Sequence, residues 1–79
     1  MEPDTFEILG ELRNIKTIAA GKDVRARHWL QQKYGAANWR KMKATALVKD
    51  QGETYEAEIH WYEATEVGRC EWKIKESLQ

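Results

Sequence analysis

Side chains of two kinds alternate along the stretch from Glu53 to Glu63. The apolar positions are Tyr55, Ala57, Ile59 and Trp61, and the polar positions between them are Thr54, Glu56, Glu58, His60 and Tyr62. Because successive side chains of a β-strand point to opposite faces of a sheet, this pattern predicts a strand with one buried and one solvent-facing side. A chain of 79 residues has a thin core, so its other elements must cover the buried side of this strand.

A second strand is predicted just before it, over residues 42–49, and Gln51-Gly52 suits a two-residue hairpin turn between the two. In the register that this turn imposes, each apolar residue of one strand faces an apolar residue of the other, and Lys43 faces His60. A slip of one residue would turn all of these side chains to the wrong face, so the pattern specifies the pairing.

A third strand is predicted over residues 68–75. Its core-facing residues are expected to be Cys70, Trp72 and Ile74, and its outward-facing residues Arg69, Glu71, Lys73 and Lys75. The loop before this strand does not define its register, so His60 lies opposite either Lys73 or Glu71.

Two helices are predicted ahead of the strands, over residues 4–20 and 23–34. Their apolar stripes are Ile8, Leu12, Ile15 and Ala19 in the first, and Ala26, Trp29 and Leu30 in the second. Asp4 and Asp23 are suited to cap the two helix starts. The sequence therefore predicts a single α+β domain, residues 1–79, with two N-terminal helices packed on one face of a three-stranded antiparallel meander. The other sheet face would be open.

Charge is unevenly distributed along a chain whose net charge is zero. Residues 12–49 hold ten Lys or Arg and one acid, whereas residues 50–79 hold three bases and eight acids. A zero net charge argues against generic nucleic-acid binding, and the basic segment predicts a basic surface or, alternatively, ordinary solvated faces.

The single cysteine, Cys70, excludes an intramolecular disulfide and a cysteine-based zinc cluster. It fits a reducing compartment or a small core position. No apolar run approaches the ~18 residues that a membrane-spanning helix requires. We therefore expect a cytoplasmic protein that uses no metal or other cofactor and does not associate with a membrane.

The predicted open sheet face carries the strongest set of candidate catalytic residues: Glu58, His60, Tyr62 and Lys73. A metal-independent ribonuclease needs a base for the 2′-hydroxyl, an acid for the leaving oxygen and a cation for the phosphate. Histidine can serve as acid or base near neutral pH, and lysine can stabilise the charge of the transition state. The alternative is a solvent-facing sheet surface stabilised by cross-strand Lys–Glu pairs.

Further candidates for binding phosphate or nucleic acid are Lys22, Arg25, Trp39, Arg40, Lys43 and Lys75. Lys22 and Arg25 flank the predicted start of the second helix, where free amides favour an anion. Trp39 stands beside cations, as in sites that stack a base and hold its phosphate. The alternatives are an ordinary helix start and a tryptophan that covers the end of the core.

Several short segments resemble the C-terminal modules of bacterial polymorphic toxins of the Rhs and contact-dependent-inhibition types. These segments are residues 21–25, 33–35, 39–41, 59–63 and 71–75, and the most specific is His60-Trp61-Tyr62-Glu63. The predicted order, helices and then a sheet, is similar to the barnase–RelE–colicin class of small metal-independent ribonucleases. The resemblance implies RNA cleavage on the sheet face, with His60 as acid or base, Lys73 as a phosphate ligand, and Lys22 and Arg25 as helper cations.

The sequence thus predicts a small RNA-acting domain, and the specific form that we expect is a metal-independent ribonuclease. Two alternatives remain open. One is a non-catalytic module that binds a cognate protein or forms a homodimer through the open face or through a sheet edge at residues 42–49. The other is an RNA- or single-stranded-DNA-binding domain that does not cleave.

Overall fold

A computed structural model describes residues 5–78 and consists of one sheet and one α-helix. Its elements are β1 (Glu7–Ala20), a 3₁₀ turn (Gly21–Asp23), α1 (Arg27–Tyr34), β2 (Arg40–Asp50), β3 (Glu53–Ala64) and β4 (Gly68–Ser77). The strands are antiparallel and lie in the order β1-β2-β3-β4. The prediction of a small α+β domain with an antiparallel meander is confirmed, but the domain has four strands and one helix rather than three strands and two helices.

The central hairpin has the predicted register. Lys43 lies opposite His60, and the ladder continues without a shift from Arg40 opposite Glu63 to Asp50 opposite Glu53. Gln51 and Gly52 have φ angles of 52° and 83°, the left-handed geometry that a tight hairpin turn requires at both central positions. Strand β2 begins two residues before and ends one residue after its predicted range, and β3 ends two residues after its predicted end.

The prediction of a helix over residues 4–20 is wrong. Residues 7–20 form β1, and Asp4, the predicted cap, lies outside the described residues. Gly10 and Asn14 have φ angles of 79° and 55°, which no α-helix contains and which β-bulges accommodate. Three register shifts let the fourteen residues of β1 pair with ten residues of β2. These bulges break the alternation of a regular strand, so the apolar spacing imitates a helix.

This pairing also corrects the prediction about the sheet edge. Because β1 lies against residues 42–49, strand β2 is an interior strand of the sheet. The backbone of β2 therefore cannot pair with a second copy.

The second predicted helix begins later than the sequence indicates. Residues Gly21–Asp23 form the 3₁₀ turn, and α1 starts at Arg27 without a side-chain cap at its N-terminus. Leu30 is buried as predicted, whereas Trp29 is 47% exposed. Within residues 5–78, no helix is long and apolar enough to cross a lipid bilayer.

One side of the sheet, the apolar face, carries the larger cluster of buried residues: Met42, Ala44, Ala46, Val48, Ala57, Ile59 and Trp61. The prediction that helices cover this face is wrong. Ile8 and Leu12 of β1 pack against it from one edge, and Trp72 and Ile74 of β4 from the other. Bulges bend strands and increase their twist, so the bulged edge strands can close over small central residues without a helix.

A bulge in β4 resolves the register that the sequence left open. Glu71 has a φ angle of 58°, and the adjoining shift places Lys73 opposite His60 and Cys70 opposite Tyr62. Trp72 stacks on Trp61 on the apolar face, with ring centroids 4.8 Å apart. Regular alternation predicted that Cys70 and Trp72 share a face. The bulge instead places them on opposite faces of the sheet.

The helix packs on the other side of the sheet. Leu30 belongs to a second buried cluster with Val24, Trp39 and Ala64, against which Tyr62 and Cys70 pack. Since Tyr62 shares its face with His60, α1 covers one end of the surface that the sequence predicted to be fully open. The rest of that surface carries the candidate site.

Candidate functional site

The polar face is the sheet surface that carries Lys43, Glu58, His60 and Tyr62. A recess of about 140 Å³, here called the His60 recess, opens on it beside α1. Its lining residues are Lys41, His60, Trp61, Tyr62, Glu71, Lys73 and Lys75. Four of the sequence-predicted site residues therefore meet in one small space: His60, Tyr62, Lys73 and Lys75.

Glu58 joins this group through a hydrogen bond to His60. The distance between His60 Nε2 and Glu58 Oε2 is 2.8 Å, and the side chains are 14% and 29% exposed. The bond to His60 lowers the pKa of Glu58, and the charges of Lys43 and Lys75 lower it further. At neutral pH Glu58 is therefore an acceptor only, and Nε2 must donate the proton of this bond. In a neutral imidazole, Nδ1 then carries the lone pair.

Three lysines border the recess: Lys41, Lys73 and Lys75. Within residues 5–78, none of the three forms an ion pair with a carboxylate. The ammonium group of Lys41 lies 5.9 Å from the centroid of the Tyr62 ring. Lys41 is not among the sequence-predicted site residues, although the predicted hairpin register places it opposite Tyr62.

Glu71 connects the recess to the helix. Its carboxylate accepts hydrogen bonds from Lys33 Nζ, at 2.9 Å, and from the Tyr34 hydroxyl. These bonds lower the pKa of Glu71, and the hydrogen bond to Glu71, aided by burial, raises the pKa of Tyr34 to about 12. The charge of Glu71 is thus compensated by α1, and the lysines of the recess need not compensate it.

Two predicted binding residues are not available on the exposed part of the polar face. Trp39 is 0% exposed and packs in the core below α1, so its ring offers no surface on which a base could stack. Arg40 points to the opposite side of the sheet, where its guanidinium lies 3.0 Å from Glu63. The stacking interpretation of Trp39 beside Arg40 is therefore wrong, and the alternative, a tryptophan that covers the end of the core, is confirmed.

Lys22 and Arg25 are exposed in the turns before α1, and neither lines the His60 recess. The predicted anion site at a helix start is not formed by these residues, because the helix begins at Arg27, after both of them.

A second recess, the Lys16 recess, lies on the other side of the Glu58–His60 pair. It measures about 220 Å³ and is lined by Asn14, Lys16, Lys43, Ala44, Thr45 and Glu58. Sequence reasoning found Lys43 and Glu58 but missed Lys16 and Asn14, because it placed both on a helix. A signal was present in Asn14, since asparagine tolerates the left-handed geometry of a bulge.

A wider recess of about 690 Å³ lies at the hairpin end, where Asp50 and Glu53 are among its lining residues. Two carboxylates disfavour a phosphate there. No group of three or more His, Cys, Asp or Glu side chains in residues 5–78 is arranged to hold a metal ion.

Comparisons with protein-family models, with curated proteins and with solved structures give no match to this chain.

Proposed function

We propose that this protein is an RNA-acting domain that cleaves single-stranded RNA without a metal ion, using the His60 recess. The observation that carries the proposal is the hydrogen-bonded Glu58–His60 pair beside three lysines without acidic partners among the described residues. A titratable imidazole within reach of concentrated positive charge suits proton transfer at a phosphate.

His60 acts as the base in this proposal. Its Nδ1 takes the proton of a ribose 2′-hydroxyl while Nε2 remains bonded to Glu58, which stabilises the imidazolium that forms. The 2′-oxygen attacks phosphorus, the bond from phosphorus to the 5′-oxygen breaks, and a 2′,3′-cyclic phosphate and a 5′-hydroxyl result.

Tyr62 donates the proton that the leaving 5′-oxygen requires. It is two residues from His60 on the same face of β3, a separation of about 6.6 Å along a strand. A phosphate fits between a base and an acid at that spacing, as an in-line displacement requires. Lys41, Lys73 and Lys75 stabilise the negative charge that develops on the phosphate oxygens.

A second candidate is RNA binding without cleavage. The observation that favours it is the low exposure of the His60 side chain, 14%, together with its bond to Glu58. A histidine held in this way can be a structural partner of the carboxylate.

One experiment separates the two. Purified protein is incubated with total bacterial RNA in EDTA, beside His60→Ala and His28→Ala variants. The control residue, His28, is exposed on α1 and contacts Gln32. Fragments ending in cyclic phosphate from the parent and from His28→Ala, with at least a hundredfold loss in His60→Ala, support cleavage. Intact RNA in every sample, with RNA retained by the protein on a filter, supports binding alone. Neither cleavage nor retention rejects both functions.

A further inference from the structure

Two cationic recesses lie side by side on the polar face, and Glu58 and His60 separate them. Glu58 lines the Lys16 recess, and its hydrogen-bond partner His60 lines the His60 recess. Each is smaller than the roughly 300–1,000 Å³ of pockets that enclose a drug-sized ligand. Each therefore suits a phosphate group rather than a whole nucleotide.

The Lys16 recess has the composition of an anion site. Lys16 lies opposite Lys43 in the pairing of β1 with β2, so both ammonium groups belong to the same face. Thr45 and Asn14 add neutral hydrogen-bonding groups. Two like charges placed directly opposite each other destabilise a sheet unless something compensates them. Glu58 compensates the charge of Lys43, which is among the causes that lower the pKa of Glu58.

The order of residues along β3 gives the recesses a direction. Glu58, His60 and Tyr62 follow one another on the same face. With the 2′-hydroxyl at His60 and the leaving oxygen at Tyr62, the nucleotide that supplies the 2′-hydroxyl lies toward Glu58. Its own 5′-phosphate then reaches the Lys16 recess.

We infer that the Lys16 recess is a second phosphate subsite, which binds the 5′-phosphate of the nucleotide whose 2′-hydroxyl attacks. The inference rests on the proposed cleavage and adds a substrate class to it: strands with a phosphate on both sides of that nucleotide. Lys16 is a binding residue in this account and takes no part in proton transfer.

The test uses pools of ribodinucleotides that differ in one phosphate. One pool carries a 5′-phosphate, one a 3′-phosphate, and one neither. We expect the 5′-phosphate to raise kcat/KM about tenfold for the parent, through KM, and the 3′-phosphate to leave it unchanged. Lys16→Ala should abolish the gain, so that the 5′-phosphorylated and unphosphorylated pools react at the same rate. Lys49→Ala, an exposed lysine at the far end of β2, should retain the gain.

Equal rates on the three pools, or an equal loss on all of them in Lys16→Ala, would overturn the subsite. Binding of 2′-deoxy dinucleotides, which cannot be cleaved by this route, keeps the test independent of catalysis. If the parent does not cleave at all, tighter binding of the 5′-phosphorylated analogue that depends on Lys16 still supports the subsite. Equal binding of the two analogues rejects it, and the loss of cleavage is then a separate result about His60.

Discussion

At the scale of single residues, the polar face is organised by two carboxylates that each fix a neighbour. Glu58 holds His60, and Glu71 holds Lys33 and Tyr34 of the helix. Each carboxylate has a lowered pKa because its hydrogen bonds favour the charged form. Both are therefore ionised at neutral pH, and their partners are oriented before any substrate arrives.

Replacing Glu58 by glutamine should lower kcat about tenfold while KM changes little. The amide keeps the size of the side chain but removes the negative charge that stabilises an imidazolium at His60. The matched control is Glu56→Gln, two positions away on the same strand, where Glu56 pairs with Arg13 instead. Initial rates on a fixed RNA oligonucleotide measure the effect. A loss of the same size in both variants would show that general surface charge, not the bond to His60, is responsible.

Replacing Tyr34 by phenylalanine should change stability in a pH-dependent way. The pKa of Tyr34 in the fold is about 12, above its ordinary value of 10.0, because its hydroxyl donates to Glu71. The fold therefore favours the neutral hydroxyl, and the stabilisation is complete below pH 10 and is lost as pH rises toward 12. At pH 7 the variant should be less stable by about 1 kcal/mol, the typical contribution of one hydrogen bond.

Urea unfolding of parent and Tyr34→Phe at pH 7 and at pH 11.5 would measure this difference, which should shrink at the higher pH. Tyrosinate absorbance gives a second measurement. We expect Tyr34→Phe to remove one tyrosine from the high-pH titration, whereas Tyr55, whose pKa is raised by its hydrogen bond to Asp50, should still titrate above its ordinary range. An unchanged high-pH amplitude would contradict the assignment to Tyr34.

At the scale of elements, the parts of the fold that follow a regular period could be predicted from sequence. The β2–β3 hairpin was predicted correctly, because eleven consecutive pairs keep a period of two without interruption. Strand β1 was not predicted, because its bulges at Gly10 and Asn14 shift the alternation of side chains between the two sheet faces. A spacing of four residues between apolar side chains then fits a strand as well as a helix.

The site was predicted to the same extent as the strands beneath it. Glu58, His60 and Tyr62 come together because they alternate on β3, and Lys73 because one of the two open registers was the right one. Lys16 was missed because it lies on β1, which was predicted to be a helix. The choice between a stacking role and a core role for Trp39 stayed open, because the position of α1, which buries it, follows from a cluster of distant residues rather than from any local pattern.

Replacing Gly10 by alanine distinguishes the two secondary structures by the sign of its effect. In a helix, alanine would stabilise by about 1 kcal/mol relative to glycine. In β1, where the φ angle is 79° and a Cβ would meet nothing within 4 Å, alanine should destabilise by about 1 kcal/mol through backbone strain alone. Glu11→Ala, at the next residue, controls for local changes. Urea unfolding at neutral pH gives both values.

Replacing Leu30 by alanine should destabilise the protein by about 3 kcal/mol, because it deletes a fully buried side chain and leaves a cavity. Leu30 is 0% exposed and is the buried residue of α1. His28→Ala, on the exposed side of the same helix, should change the unfolding free energy by less than about 0.5 kcal/mol. Equal midpoints for the two variants in urea would show that α1 does not pack as described.

At the scale of the whole molecule, the net charge is zero although positive and negative side chains are concentrated in different regions of the surface. The two lysine-lined recesses occupy the polar face, and the carboxylates of Asp50 and Glu53 lie at the hairpin end. Local potential, rather than net charge, governs the encounter with a charged strand. The position of a charge should therefore matter more than the sum of charges.

Two charge reversals with the same effect on net charge test this statement. Lys73→Glu, opposite His60, and Lys49→Glu, at the far end of β2, each lower the net charge by two. We expect the first to weaken binding of a single-stranded oligonucleotide more than tenfold and the second less than threefold. The slope of log K against log salt should fall by about 0.7 for each phosphate that the variant no longer neutralises. Fluorescence anisotropy at several salt concentrations measures both quantities, and equal losses of affinity would indicate a response to net charge alone.

The bulges of β1 and β4 have a consequence for how the protein behaves in concentrated solution. With a sequence pI near 6.7, the molecules repel one another only weakly at neutral pH, so charge does little to prevent self-association. Both outer strands of the sheet carry register shifts, and an irregular outer strand is a poor template for the in-register stacking that builds amyloid. The bulges, which made β1 hard to predict from the sequence, should thus keep the folded protein from nucleating fibrils. Because this protection depends on the shape of the outer strands and not on charge, salt should not remove it.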